Sequence, residues 1–228
     1  MKNESSSQLW ASFIERHALT AEQTEQFQLY YRMLVETNDI HNLTAITDLK
    51  RVLSDHFDDS LALEQFIDCR QVRSLCDVGT GAGFPALPLK IKYPHLALVL
   101  VEVNHKKIQF LYDVIQKLGL QNIEIYGLDW RTFLRKTAYD LSIFCARASL
   151  QPAELIRMFK PSSPYSDRVL VYWASQAWVP DVKEAPLVEK EEWYTLGNKK
   201  RKLVFFRKSP VVAPSELRLV RSVKGLYN

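Results

Sequence analysis

Three of the chain's seven glycines fall within five residues, in Asp77-Val78-Gly79-Thr80-Gly81-Ala82-Gly83-Phe84-Pro85, directly after the apolar run that carries Leu75 and Cys76. A buried strand that turns at once through alternating glycines begins a strand-loop-helix unit. Glycine is the residue that permits both the sharp turn and the close approach of backbone to a ligand, because a Cβ there would collide with it. Gly83 is followed by Phe84-Pro85 rather than Lys-Ser/Thr, which excludes a triphosphate-binding Walker loop. The chain is therefore expected to be α/β, with a ligand loop near residue 80.

The glycines run G-x-G-x-G, with Asp77 two residues before the first, whereas a dinucleotide fingerprint requires G-x-G-x-x-G. This is the arrangement of Rossmann-like methyltransferases that bind S-adenosylmethionine. A second strand signal, Leu96-Ala97-Leu98-Val99-Leu100-Val101, ends in Glu102. An acid at a strand end about 20 residues past the loop is placed to accept hydrogen bonds from ribose hydroxyls. Residues 106–118 have apolar positions near the helical period and stop at Gly119. Ile123-Glu124-Ile125-Tyr126 reads as a third strand, and after it Asp129 and Trp130 offer an acid and a flat side chain to an adenine.

A length of 228 residues with 47% hydrophobic content supports one sizeable domain with an extension. Cys69, Cys76 and Cys145 form no CxxC pair and no even disulfide set, so buried thiols in a cytoplasmic protein are expected, with no metal site. The polar N-terminus and the lack of an 18-residue apolar run point away from secretion and from a membrane span. A net charge of +4 is modest, but Lys199-Lys200-Arg201-Lys202 is a solid basic block suited to nucleic-acid phosphates.

The first seventy residues are organised differently. Residues 7–17 and 21–35 carry amphipathic spacing (Leu9, Trp10, Phe13, Ile14; Phe27, Tyr30, Tyr31, Leu34), with Thr20 and Glu22-Gln23 as start signals. This aromatic stripe reads as packing. Residues 38–46 are rich in short hydrogen-bonding side chains, and residues 51–66 return to a helical pattern carrying His56, Asp59 and Ser60.

Asn42-Leu43-Thr44, then His56-Phe57-Asp58-Asp59-Ser60-Leu61, then the segment from Asp77 through Gly83-Phe84-Pro85-Ala86-Leu87-Pro88-Leu89 resemble the RsmG (GidB) family of bacterial 16S ribosomal RNA guanine-N7 methyltransferases in order and spacing. The resemblance continues through Glu102, Lys106-Lys107, Leu118-Gly119-Leu120 and a strand from Tyr139 to Ala146-Arg147-Ala148, and thins beyond about residue 150. Its specificity lies in the pairing of the glycine loop with the two upstream elements. The chain departs from the family where Asp58 replaces an apolar residue and where Trp173-Ala174-Ser175 replaces Leu-Lys-Gly.

The resemblance implies a Rossmann-like class I S-adenosylmethionine-dependent fold with a mixed, mostly parallel seven-stranded sheet. An N-terminal helical extension (1–70) precedes the core (71–208), and a basic tail (209–228) follows it. It implies methyl transfer from S-adenosylmethionine to guanine N7 of 16S rRNA near the decoding site, by a monomer that engages rRNA or the small subunit and no membrane. Guanine N7 presents a lone pair and no proton, so positioning carries the catalysis. The cofactor residues expected are Asp77, Gly79, Gly81, Gly83, Phe84, Glu102, Asp129 and Trp130. Arg147, whose donor fork suits guanine O6 or a phosphate, is expected at the reacting base, with Asn42, His56, Lys199 and Arg201 as further RNA contacts. A cytosine-C5 enzyme would need a nucleophilic cysteine, and Cys145 lacks the Pro-Cys setting; an adenine-N6 enzyme would carry Asn/Asp-Pro-Pro-aromatic where Phe144-Cys145-Ala146-Arg147 stands. A diverged RNA-binding relative without activity and a methyltransferase of another acceptor stand as alternatives.

Overall fold

The computed structural model describes residues 5–41 and 43–208. Strands β1 (Ser74–Val78), β2 (Ala97–Val101), β3 (Ile123–Tyr126), β4 (Ile143–Arg147), β5 (Val169–Ser175), β6 (Val188–Leu196) and β7 (Lys199–Phe206) form one sheet in the order β3-β2-β1-β4-β5-β7-β6. The first five run parallel, and β7 lies antiparallel between β5 and β6. The fourth strand starts at Ile143, later than the Tyr139 expected, because its pairing with β1 begins at Leu75↔Ile143. Gly197 at φ 57° opens the two-residue turn between β6 and β7, a hairpin signal in the sequence.

Helices cover both faces of the sheet. Before β1 come α1 (Ser6–His17) and α2 (Ala21–His41), then a continuous helical segment of α3 (Leu49–Arg51), a π-helical stretch (Val52–Asp58), α4 (Asp59–Leu61) and a 3₁₀ turn (Ala62–Gln65). Between the strands lie α5 (Ala86–Lys92), α6 (His105–Lys117), α7 (Trp130–Lys136) and α8 (Pro152–Leu155), the last continued by a 3₁₀ turn over Ile156–Phe159. Reciprocal side-chain bonds between Ser5 and Gln8, and between Thr20 and Gln23, start α1 and α2. Phe27, Tyr30 and Leu34 recur at helical spacing and are fully buried. No helix among the described residues is long and apolar enough to cross a membrane.

Two hydrophobic clusters divide along the sheet. Leu75, Ile143, Cys145, Val171, Trp173, Leu203 and Phe205 belong to the cluster containing α1, α2, α5 and α6 residues. The intervening Cys76, Val78, Phe144, Ala146, Leu170, Ala174, Val204 and Phe206 belong to the cluster with α7 and the turn after α8. The strand period of two therefore sends residues 147, 199 and 201 toward the N-terminal helical segment and residues 200 and 202 to the opposite side. One face of the sheet and the N-terminal helices share a core.

Candidate active site

The glycine loop leaves β1 at the point where chain order reverses, with β2 on one side of β1 and β4 on the other, which is where open α/β sheets bind ligands. Gly79, Gly81 and Gly83 all take positive φ (69°, 62° and 101°). A Cβ at Gly79 would lie 2.4 Å from the Ser149 Cβ, and one at Gly83 would lie 2.4 Å from Leu87 Cδ1 and 2.8 Å from the Tyr30 hydroxyl. At Gly81 it would meet nothing within 4 Å. Gly79 and Gly83 are thus required by the protein's own packing as well, and of the three Gly81 alone faces open space.

Two acids organise this loop. Glu102, nearly buried, accepts the Gly81 N–H at 2.9 Å on Oε2 and the Val103 and Asn104 N–H groups, each at 2.9 Å, on Oε1. Asp77 is fully buried; its Oδ2 accepts the Thr80 hydroxyl at 2.7 Å and the Ala86 N–H at 3.2 Å, and its Oδ1 has no partner. Burial holds the Asp77 carboxyl up at about 7, against the lowering effect of those two donors. Tyr30 braces the loop from α2 by donating to the Ala82 carbonyl at 2.5 Å.

Facing the loop is a wall built from β4 and the N-terminal helical segment. Arg147 Nη1 donates to Asp59 Oδ2 at 2.9 Å and to the Asp55 carbonyl at 3.0 Å, while Nη2 lies 3.3 Å from His56 Nδ1. The acceptor carbonyl sits in the π-helical stretch, whose wider turn brings it within reach. Asp59 is wholly buried and also accepts Tyr194 Oη at 2.6 Å; Arg201 Nε lies 3.3 Å from the same oxygen. His56 stacks on Phe84 with centroids 4.5 Å apart, and its Nε2 is 3.0 Å from Thr44 Oγ1. Burial, with the Arg147 guanidinium, pushes the imidazole down to about 3, so it is neutral at physiological pH. Between wall and loop lies a cavity of about 310 Å³, lined by Thr44, His56, Gly81, Lys107, Arg147 and Arg201 among others.

Several expectations change. Arg147 is only 8% exposed, and its fork is occupied by Asp59, two carbonyls and His56, so it supports the wall rather than presenting a free donor pair. Trp130 is 4% exposed, stacked on Phe133, with its indole N–H on the Glu154 carbonyl; its face is packed in the core and not turned to an adenine. Asp129 caps α7 through the Thr132 N–H. Phe84 is 5% exposed and stacks on Tyr30 as well as His56, forming cavity wall. Cys145 is fully buried and burial pushes its thiol well above the usual range, which removes it as a nucleophile. Asn42 and the tail 209–228 lie outside the described residues.

Strand alternation also splits the basic block. Lys199 pairs with Asp55 at 2.8 Å and Arg201 faces Asp59, whereas Lys202 is 3% exposed, holds both Glu191 oxygens at 2.9 Å and lies over Trp178 and Trp193. Of the four, only Lys200 has no charged partner among the described residues. A larger basic groove, about 510 Å³, went unread: Arg131, Arg135, Arg157 and Lys160 line it together with Ser162 and Ser163. These cations are scattered over thirty residues of sequence and converge only because α7 packs beside the segment after α8. Glu154 pairs with Arg131 at 2.8 Å and lies 3.8 Å from Arg157. Thr44 and Lys107 were likewise legible as motif members but not as cavity residues. No group of His, Cys, Asp and Glu among the described residues could hold a metal ion.

A family model described as GidB, rRNA small subunit methyltransferase G, matches residues 23–208. The curated "Ribosomal RNA small subunit methyltransferase G" of Listeria welshimeri is 40% identical over 163 residues, covering 70% of this chain and 68% of that protein. Its Bacillus subtilis counterpart is 49% identical over 105 residues, covering 46% and 44%. Among solved structures, a SAM dependent methyltransferase from Aquifex aeolicus superimposes with a TM-score of 0.51 at 16% identity, covering 72% of this chain and 97% of that one, a likeness of fold.

Proposed function

Because this chain belongs to the rRNA small subunit methyltransferase G (GidB) family, we propose that it methylates N7 of a guanine in 16S rRNA, near the decoding site, as a cytoplasmic monomer. The observation that carries the reading is the single cavity that joins the open approach at Gly81 to the Thr44–His56 wall. One side suits a nucleoside-bearing cofactor and the other a base.

The residues present fit S-adenosylmethionine: a buried, unpartnered Asp77 oxygen, an open approach over Gly81, and a Glu102 carboxylate at the end of β2. When bound, that cofactor supplies a methyl group on a positively charged sulfur. Asp77, Gly79, Gly81, Gly83 and Glu102 shape its seat, the last with a lone pair left on Oε2 for a ribose hydroxyl. Asp129, exposed just past β3 where it caps α7, is a further cofactor residue in this reading. N7 carries no proton, so the chain needs no general base and works by holding the base in line. The N-terminal extension forms the acceptor half of the site, with Arg147 fixing His56, and Arg201 and Lys199 at its edge. The α7 groove lies between helices that follow β3 and β4, and its cations suit the RNA backbone.

The test is methyl-labelled S-adenosylmethionine with small subunits, or 16S rRNA, from a strain lacking the family enzyme, followed by nuclease digestion and mass spectrometry. A single 7-methylguanine is expected. Label on another base or atom, or cofactor binding with no transfer, would favour another acceptor or a diverged binding relative.

A further inference from the structure

The hydroxyl of Thr44 has a direction that the surrounding network fixes. A threonine oxygen has two lone pairs and one proton. The Ile46 N–H, 3.1 Å away, donates to one lone pair. The other partner is His56 Nε2 at 3.0 Å, and the sense of that bond follows from the far side of the ring. His56 Nδ1 faces Arg147 Nη2 at 3.3 Å, and a guanidinium only donates; the Asp55 carbonyl beside the ring already accepts Arg147 Nη1 at 3.0 Å, so we assign Nδ1 as the acceptor. A neutral ring then carries its proton on Nε2 and donates it to Thr44. Both lone pairs are thus engaged, and no group among the described residues accepts the Thr44 proton. Thr44 is half-buried and lines the cavity.

We propose that Thr44 is the recognition residue for the target base, its hydroxyl donating to a purine carbonyl oxygen beside the reacting nitrogen. This rests on the function proposed above. With both lone pairs taken, the hydroxyl offers a proton and nothing else. On the edge that carries N7, guanine presents the O6 acceptor and adenine an amino donor, so the same atom that accepts guanine turns adenine away. N7 stays free for methylation. Thr44 sits on the acceptor side: the residues assigned to the cofactor follow β1, β2 and β3, whereas Thr44 comes from the N-terminal extension across the cavity. Arg147, too enclosed to meet the base itself, sets the imidazole and through it the hydroxyl. This explains why a buried arginine stands at the end of β4.

The experiment compares wild type, Thr44→Val and Thr44→Ser on an rRNA fragment with the target guanine and on the same fragment carrying 2-aminopurine there, which keeps N7 and lacks O6. Cofactor affinity is measured by calorimetry alongside. On the guanine fragment Thr44→Val is expected to lose roughly 10- to 100-fold in kcat/KM, and Thr44→Ser to stay within a few-fold of wild type. On 2-aminopurine, wild type is expected to fall by a similar factor and Thr44→Val to fall no further, because the partner is already absent. Cofactor affinity should be unchanged in both variants. Equal losses from Thr44→Val on the two fragments, a weakened cofactor, or full activity in Thr44→Val would each overturn the assignment. If wild type labels no guanine, the function itself falls and takes this proposal with it; guanine labelling with an indifferent Thr44→Val removes only Thr44.

Discussion

Gly79 and Gly81 look alike in sequence and differ in what surrounds them. Alanine at 79 meets Ser149 at 2.4 Å as well as a strained φ, whereas alanine at 81 meets only the strained φ and open space. Gly79→Ala is therefore expected to lower the melting temperature strongly. Gly81→Ala should cost about 1–2 kcal/mol of stability yet remove most cofactor affinity, so thermal melts and calorimetry on the pair separate the two roles. Asp77 supplies a pH signature. Its folded-state carboxyl sits at about 7, above the ordinary value near 4, so the folded protein keeps a proton the unfolded chain has released. Its contribution to stability is full below about pH 4, falls between 4 and 7 by up to roughly 1.4 kcal/mol per pH unit, and is level above that. Asp77→Asn should flatten this decline in melts without cofactor; an unchanged slope would contradict it. The glycine loop and Glu102 were legible because their spacing is local. Asp59 as the partner of Arg147 was not, since 88 residues separate them and only the sheet reversal brings them together.

At the scale of elements, the helices of the extension could be read from their period and starts, but how α1 docks could not. Asp58 accepts from Arg16 at 2.9 Å and lies 2.7 Å from His17 Nε2, and Glu64 lies 3.3 Å from the other ring nitrogen. Burial opposes protonation of His17, but the two carboxylates outweigh it and raise its pKa. A raised value stabilises fully below about 6.5 and is lost as pH rises through the folded-state pKa. Asp58→Ala should destabilise by roughly 2 kcal/mol at pH 6, with faster amide exchange in α1, and the deficit should shrink at pH 9. The π-helical stretch carries no sequence signal of its own, because its pattern still reads as an ordinary helix. The basic block divides for the opposite reason: counted in a line it is one patch, but on β7 it is two faces, one tied to Asp55 and the buried Asp59 and the other to Glu191 and two tryptophans.

At the scale of the whole molecule, the groove beside α7 is a cationic surface that the described residues offer to a polyanion. Arg135 and Lys160 are exposed there, and neither lines the cavity beside the glycine loop. Replacing both with alanine should weaken binding to an rRNA fragment, reduce the slope of log affinity against log salt by roughly 1.5, and leave cofactor affinity intact. An unaltered slope would move the RNA elsewhere. Fold class followed from a single loop and its strand-helix alternation, while this surface required three-dimensional neighbours. The glycine loop itself is anchored on three sides, by Tyr30 from α2, by Glu102 from the end of β2 and by Val101, whose carbonyl accepts the Gly79 and Thr80 N–H groups. A seat assembled in advance makes capture a matter of collision frequency. In stopped-flow mixing the observed rate should climb in proportion to S-adenosylmethionine concentration without a plateau, whereas a loop that had to fold around its guest would impose a ceiling.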